Sequence, residues 1–251
     1  MARPLRCLSY TNSLKNKNLS TTSPLSKSSF RESRQPSLDV IDLNLRLSQL
    51  FDLREHCNED QQITKGFIQH CFQSAYGATI TNFMPRLFSL RTNRHELIAA
   101  FGLRPAKNER LFLESYLNGP IEVVMRSRLG KDVNREDVIE VGNLSALYPG
   151  ASRWVIVALT ALLHNEGYKW VVFTGTSTLR NGFTRLGLRP VELGKASIDV
   201  LPPQSRRSWG TYYENTPVVL SGEIDLGYAS LMNHQNLSDL LRMNLDSIEA
   251  L

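Results

Sequence analysis

Apolar and polar positions change rhythm three times between residues 137 and 187. Residues 137–144 carry a strand pattern, and the turn Tyr148-Pro149-Gly150 follows. Over 152–166 the apolar residues Trp154, Val155, Ala158, Leu159, Leu162 and Leu163 recur at helical spacing, and Gly167 ends that helix as a C′ glycine. Trp170-Val171-Val172-Phe173 is a continuous apolar run, the pattern of a strand covered on both faces. A second helix is predicted over 178–186, stopped by Gly187. A turn leading into a helix in this way aims free backbone N–H groups and the positive end of the helix dipole at one point, which is an anion site. The phosphates of a cofactor such as coenzyme A suit it.

The rest of the chain reads as mixed structure. Residues 38–53 alternate apolar and polar, which predicts a strand. Residues 61–78 place Ile63, Phe67, Ile68, Cys71, Phe72 and Ala75 on one helical stripe. Residues 85–90 and 96–103 flank the polar turn Thr92-Asn93 and predict a hairpin. Residues 110–116 and 121–127 read as strands around Asn118-Gly119-Pro120. Further strands are predicted over 188–193 and within 209–220. Residues 236–251 space Leu237, Leu240, Leu241, Leu245 and Ile248 as an amphipathic helix. The sum is an α+β fold with a local β-α-β crossover. Residues 1–37 form a tail, 38–226 the folded domain, and 227–251 a C-terminal amphipathic helical segment.

Charge changes this picture only at the tail. The chain has 251 residues and a net charge of +5. Residues 1–37 hold seven Lys/Arg, nine serines and one acid, Glu32, so the remainder is nearly balanced. The tail reads as disordered, and no nucleic-acid-binding face is expected. The three cysteines (Cys7, Cys57, Cys71) and five histidines show no metal-ligand spacing. A reducing, cytoplasmic setting fits them. The longest apolar run, 154–163, is ten residues, far short of the ~20 that span a bilayer. Peripheral membrane contact is the most that is expected. The chain carries no G-x-S-x-G, GxxxxGK[ST] or G-x-G-x-x-G motif, which argues against hydrolase, NTPase and dinucleotide chemistry.

Several separate stretches carry a resemblance. They are Leu111 to Leu117 (L-F-L-E-S-Y-L), Glu140-Val141-Gly142-Asn143-Leu144, Phe173-Thr174-Gly175-Thr176, Phe183 with Leu186-Gly187, and Trp209-Gly210-Thr211-Tyr212-Tyr213. Together, over about residues 63–222, the chain resembles the thermostable hemolysin family of bacterial proteins. That family is similar in turn to the GNAT-type acyltransferase fold and, within it, to acyl-homoserine-lactone synthases. The resemblance implies a mixed, mostly antiparallel sheet with one parallel crossover, flanked by helices. It also implies an acyl donor carried as a thioester. The GNAT acyl-CoA loop is Q/R-x-x-G-x-G/A, and Tyr148 to Arg153 keeps only one of its glycines. Acyl-CoA, an acyl-carrier-protein thioester and S-adenosylmethionine all stay open.

Candidate residues follow. Glu140 would be a base taking the amine proton, or a carboxylate paired with an arginine for structure. Asn143 would orient a carbonyl or the acceptor, or satisfy backbone groups. By analogy of fold, the backbone N–H groups of Ala146 and Leu147 would meet an oxyanion or the donor arm. Gly150, Ala151, Ser152 and Arg153 would hold the donor's anionic part, with Ser152 alternatively a helix N-cap. Arg153 is poorly placed for the dipole, which points to an anionic partner. Thr174, Thr176 and Arg180 would line the donor arm. Glu114, Tyr116, Trp209 and Tyr212 would line the acceptor pocket. Tyr213 would act as acid to the leaving thiolate, or the aromatics would be packing with polar tips.

The expected protein is an N-acyltransferase-like enzyme moving an acyl group from a thioester to an amine of a small acceptor, without a permanently bound cofactor or metal. Two alternatives remain: a membrane-active hemolysin using 236–251, and an autoinducer-synthase-like enzyme using S-adenosylmethionine. An interaction module without chemistry is a third.

Overall fold

Turn chemistry at residues 92–96 folds two apolar stretches into a hairpin. β2 (Arg86–Thr92) and β3 (Leu97–Pro105) run antiparallel, and Thr92 N–H donates to the Glu96 carbonyl at 2.9 Å. In the computed structural model, which describes residues 47–56 and 61–233, this hairpin is part of one sheet. β1 (Phe51–His56) pairs with β2, and β4 (Val138–Ala146) pairs with β3, both antiparallel. β5 (Trp170–Gly175) runs parallel to β4. β7 (Val218–Glu223) lies antiparallel between β5 and β6 (Val191–Lys195). The order is β1-β2-β3-β4-β5-β7-β6. This is the expected α+β arrangement: a mostly antiparallel sheet, one parallel pair, and helices on both faces.

Alternation along the strands builds a core on each face of the sheet. Ile139, Val141, Phe173 and Leu220 face α3 (Pro149–Asn165), α4 (Ser177–Arg185) and α5 (Ile224–Met232). Val138, Trp170, Val172 and Val219 face the opposite side, under α2 (Ile121–Leu129) and the 3-10 turn Phe112–Tyr116. α1 (Gln61–Tyr76) packs Ile68 and Phe72 on Leu87 and Ala100 of that same face. The continuous apolar run of β5 is thus covered on both sides, as its pattern predicts.

β4 carries a bulge. Ala100 stands opposite Ser145 and Gly102 opposite Gly142, so Phe101 faces two residues, Asn143 and Leu144. Asn143 takes a left-handed φ of 52°, a conformation that asparagine tolerates better than other side-chain-bearing residues. The extra residue reverses the alternation. Before it, odd-numbered Ile139 and Val141 enter the α3 core; after it, even-numbered Leu144 and Ala146 do.

Six expectations are corrected. Residues 121–127 are helical, because Ile121 and Met125, four apart, are the buried pair, while Val123 is 51% exposed. Residues 112–116 form a 3-10 turn whose first N–H groups are satisfied from β4. α3 begins at Pro149, a residue suited to the first helical position, so Ser152 lies inside the helix and is not its cap. The strand expected at 188–193 is displaced to Val191–Lys195. In the 209–220 region only Val218 onward is strand; Trp209 and Tyr212–Asn215 lie in 3-10 turns. Of 38–53, residues 47–50 are helical and the strand starts at Phe51. The tail and the 236–251 helix lie outside the described residues, and α5 runs across the expected boundary at 226/227.

Candidate active site

β4 and β5 pair only from Val138–Trp170 to Val141–Phe173. Beyond that point β4 continues beside β3 to Ala146, and β5 continues beside β7 to Gly175. Their facing edges from Gly142 and Thr174 onward therefore part into a wedge, leaving backbone groups of both strands without the partners that a ladder supplies. α3 and α4 start at the open end, just after β4 and β5. Leu147 and Tyr148, 55% and 47% exposed, form an apolar lip there.

The expected donor residues occupy this end with mixed roles. Leu147 N–H already donates to the Ile98 carbonyl at 2.9 Å, and Ala151 N–H to the Tyr148 carbonyl at 3.0 Å. These two amides are therefore engaged, contrary to expectation. Ala146 closes the β3–β4 ladder opposite Ala99. Pro149 offers no N–H, which leaves Gly150 as the forward amide of the α3 turn. Arg153 is half-buried in the next turn, with no acidic residue in the first turn and no ion pair among the described residues. Thr174 is half-buried on β5, and Thr176 is the buried residue before α4, its carbonyl accepting the Arg180 N–H at 3.1 Å. Arg180 reaches Glu192 at 3.5 Å.

On the opposite face from α3, Glu140 is 2% exposed. Its Oε1 accepts the Leu113 N–H at 2.9 Å, and its Oε2 accepts the Phe112 N–H at 3.0 Å. Arg104, its register partner on β3, stands 3.6 Å away through Nη1. Burial pushes the Glu140 carboxyl above its ordinary range, against the pull of the two amides and of Arg104. Glu140 thereby anchors the 112–116 turn, which presents Tyr116. The Tyr116 hydroxyl lies 2.5 Å from the Tyr213 hydroxyl. Burial, then the neighbouring Tyr213, raises the Tyr116 phenol, and burial raises Tyr213 and Tyr212, so all three stay protonated at neutral pH.

An aromatic wall completes this side. Trp209 packs against Phe72 and Phe112 with ring centroids 6.4 and 6.2 Å apart, and Tyr212 against Tyr76 at 5.2 Å. The segment is tied to the end of α1 by Thr79 N–H to the Ser208 carbonyl at 2.6 Å and Thr211 N–H to the Tyr76 carbonyl at 2.8 Å. Gly210 makes the closest approach, at φ 49°; a Cβ there would overlap the Tyr76 carbonyl oxygen and stand 2.9 Å from the Gly77 carbonyl carbon.

Two expected residues do other work. Glu114 does not alternate onto the face of Tyr116, because its segment is a turn. Its carboxylate accepts the N–H groups of Leu111 (2.9 Å) and Ile121 (2.7 Å) and pairs with Arg135 at 2.5 Å. It borders a groove of about 490 Å³ with Lys107, Arg110 and Arg135, at the end of β4 away from the wedge. Asn143 spends its amide on the chain: Oδ1 accepts the Met84 N–H at 2.8 Å and Nδ2 donates to the Asn82 carbonyl at 3.2 Å. The sequence reading missed Arg104, Met84 and the facing glycines Gly102 and Gly142. A glycine inside a strand is the available signal, since it marks a close approach.

The thermostable hemolysin family model matches residues 54–228. No curated protein matches the chain. Among solved structures, the N-acyl amino acid synthase FeeM from uncultured soil microbes is 11% identical with a TM-score of 0.49, covering 72% of this chain and 94% of its own. The acyl-homoserine-lactone synthase LasI is 9% identical at 0.45, covering 70% and 91%. A putative N-acetyltransferase from Lactobacillus plantarum is 10% identical at 0.39, covering 70% and 99%.

Proposed function

The chain belongs to the thermostable hemolysin family, and we propose that it is an N-acyltransferase-type enzyme, moving an acyl group from a thioester donor to an amine of a small acceptor. The observation that carries this reading is the wedge between β4 and β5 opening directly beside a buried carboxylate, Glu140. An extended donor arm with amide groups, such as pantetheine, takes the hydrogen bonds that the parted strands no longer give each other. Gly150 N–H and Arg153 lie at the open end, where the donor's anionic part would rest. Thr174, Thr176 and Arg180 line its β5 side.

The reaction needs positioning and proton transfer. The amine nitrogen attacks the thioester carbonyl carbon, the C–N bond forms and the C–S bond breaks. Glu140 takes the proton lost by nitrogen. Each of its oxygens keeps a lone pair after accepting one backbone N–H, and burial makes it a better base than an exposed carboxylate. Tyr213, aligned by its hydrogen bond with Tyr116, gives the proton that the leaving thiolate needs and regains one from water as Glu140 releases to water the proton it took. Trp209 and Tyr212 wall the acceptor side.

The test is the thermal stability of the full chain with coenzyme A, acetyl- and long-chain acyl-CoA, acyl-carrier protein and S-adenosylmethionine. A ligand specific for the folded state adds about 2.7 kcal/mol at ~100 times its Kd. A shift with a thioester carrier supports the reading and names the donor. A shift with S-adenosylmethionine and no thioester favours the autoinducer-synthase alternative. No shift with any of them overturns the proposal in favour of a membrane-active or scaffolding role.

A further inference from the structure

Gly102 on β3 and Gly142 on β4 stand opposite one another in register, so the sheet has no side chain at this pair. Both point to the same face as Glu140, two residues before Gly142 on the strand. The space above them is filled mainly by one side chain, with Leu87 Cδ2 at its border, 3.1 Å from a Cβ on Gly102. A Cβ on Gly102 would overlap Met84 Cβ and lie 2.8 Å from its Cγ; a Cβ on Gly142 would overlap Met84 Cε and lie 3.3 Å from its Cγ. Met84 thus lies along the sheet with its whole length over bare backbone. Its other neighbours are apolar: it joins the cluster of Ile80, Leu87 and Ala100, which Trp209 and Tyr212 also flank.

We propose that this slot is the seat of the donor's acyl chain, and that Met84 sets the length of chain it takes. The inference rests on the acyl-transfer reading above. Gly142 is the first β4 residue beyond the point where β4 and β5 part. A thioester arriving through the wedge brings its carbonyl to that residue, beside Glu140. The acyl chain then continues across β4, and the direction open to it is the Gly142–Gly102 floor. An unbranched side chain of four heavy atoms already lies there, much as a short alkyl chain would. Methionine suits a displaceable filler, being flexible and soft.

The attachment of Met84 fits the same role. It sits in the irregular segment between α1 and β2, half-buried. The segment is clipped to the β4 bulge by both ends of the Asn143 amide, through the Met84 N–H and the Asn82 carbonyl. These bonds hold the backbone and leave the side chain free to swing. An incoming chain therefore displaces the side chain alone, and the strap stays in place.

The experiment compares the full-length protein with Met84→Ala and Met84→Phe, each titrated calorimetrically with butanoyl-, octanoyl- and dodecanoyl-coenzyme A after circular dichroism confirms folding. Met84→Ala removes three heavy atoms, so the preference for the twelve-carbon over the four-carbon chain should rise on the order of tenfold over wild type. Met84→Phe, which fills the slot with a ring that cannot fold aside, should lower that preference. Three proteins that bind thioesters with one and the same chain-length profile would overturn the assignment and leave acyl transfer standing. Failure of the wild type to bind these acyl-coenzyme A thioesters and also the same three acyl chains carried on acyl-carrier protein would remove the acyl-transfer reading itself, and this assignment with it.

Discussion

The hydroxyl of Tyr116 meets the hydroxyl of Tyr213 at 2.5 Å, joining the turn anchored by Glu140 to an aromatic segment 97 residues further along the chain. The pair is partly buried, so each hydroxyl is the other's substitute for water. Tyr213→Phe leaves the Tyr116 hydroxyl without its partner, and a stability loss of about 1–3 kcal/mol is expected in urea unfolding. Under the proposed mechanism the same variant lowers kcat more than it changes KM. A loss of stability with unchanged turnover would assign the pair to structure alone.

Glu140→Gln tests the carboxylate in a second way. Two backbone N–H groups point at its two oxygens, and glutamine offers one oxygen and one NH2. One amide loses its acceptor, which should cost about 1–3 kcal/mol. Burial raises the carboxyl above its unfolded value, so its contribution is complete below about pH 4.3 and is lost as the pH rises through the folded value. The stability advantage of wild type over Glu140→Gln should therefore shrink from acid towards neutral pH. An advantage that grows with pH would contradict it.

Glu114 titrates in the opposite sense. Burial pushes its carboxyl up, but the Arg135 bond, the amides of Ile121 and Leu111 and the Arg135 charge outweigh burial and hold it low. Its contribution is complete above the unfolded value near ~4.3 and is lost as the pH falls through the folded one. Glu114→Gln should remove part of the acid sensitivity of the fold. Arg135→Met, which leaves a nearly buried carboxylate without its cation, should cost about 3 kcal/mol at pH 7. Coinciding pH–stability curves for wild type and Glu114→Gln would refute this.

Two glycines should respond with opposite sign. Gly66 lies in the exposed middle of α1 with nothing within 4 Å of an added Cβ, so Gly66→Ala should raise stability by about 0.5–1 kcal/mol. Gly210→Ala pushes a methyl into the Tyr76 carbonyl at a left-handed φ, and should lower the melting temperature and detach the aromatic wall. Trp fluorescence reports the second effect through Trp209.

What was legible in the chain was what packs locally. The apolar run of β5, the stripe of α3 and the hairpin turn each declare their period within a dozen residues. The turn at 112–116 does not, because the acceptor of its first N–H groups is Glu140, 27 and 28 residues away. Over 121–129 the β-branched Ile121, Val123 and Val124 suggest a strand, and only the burial of Ile121 with Met125 shows the helix. Glu140 could be singled out from its position at the crossover; its partners could not. The sequence marks Asn143 by its amide, whereas its backbone conformation is the larger fact, foreshadowed only by the Gly142-Asn143 pair inside a strand pattern.

The bulge at Asn143 also constrains how a chain of this fold changes length. Excising Asn143 would restore an unbroken ladder with β3 and, because Leu144 would then follow Gly142 directly, would leave Leu144 and Ala146 facing α3, but it would strip the strap at Met84 of its clip. Adding a residue there would displace the same side chains by one step. The facing of the strand does not depend on Asn143; what depends on it is the strap, which the Asn143 amide holds to β4 at Met84 and Asn82. Insertions and deletions should accordingly collect in segments that carry no such clip, such as 107–110 and 196–205, while the strap at Met84 and the bulge at Asn143 hold their count.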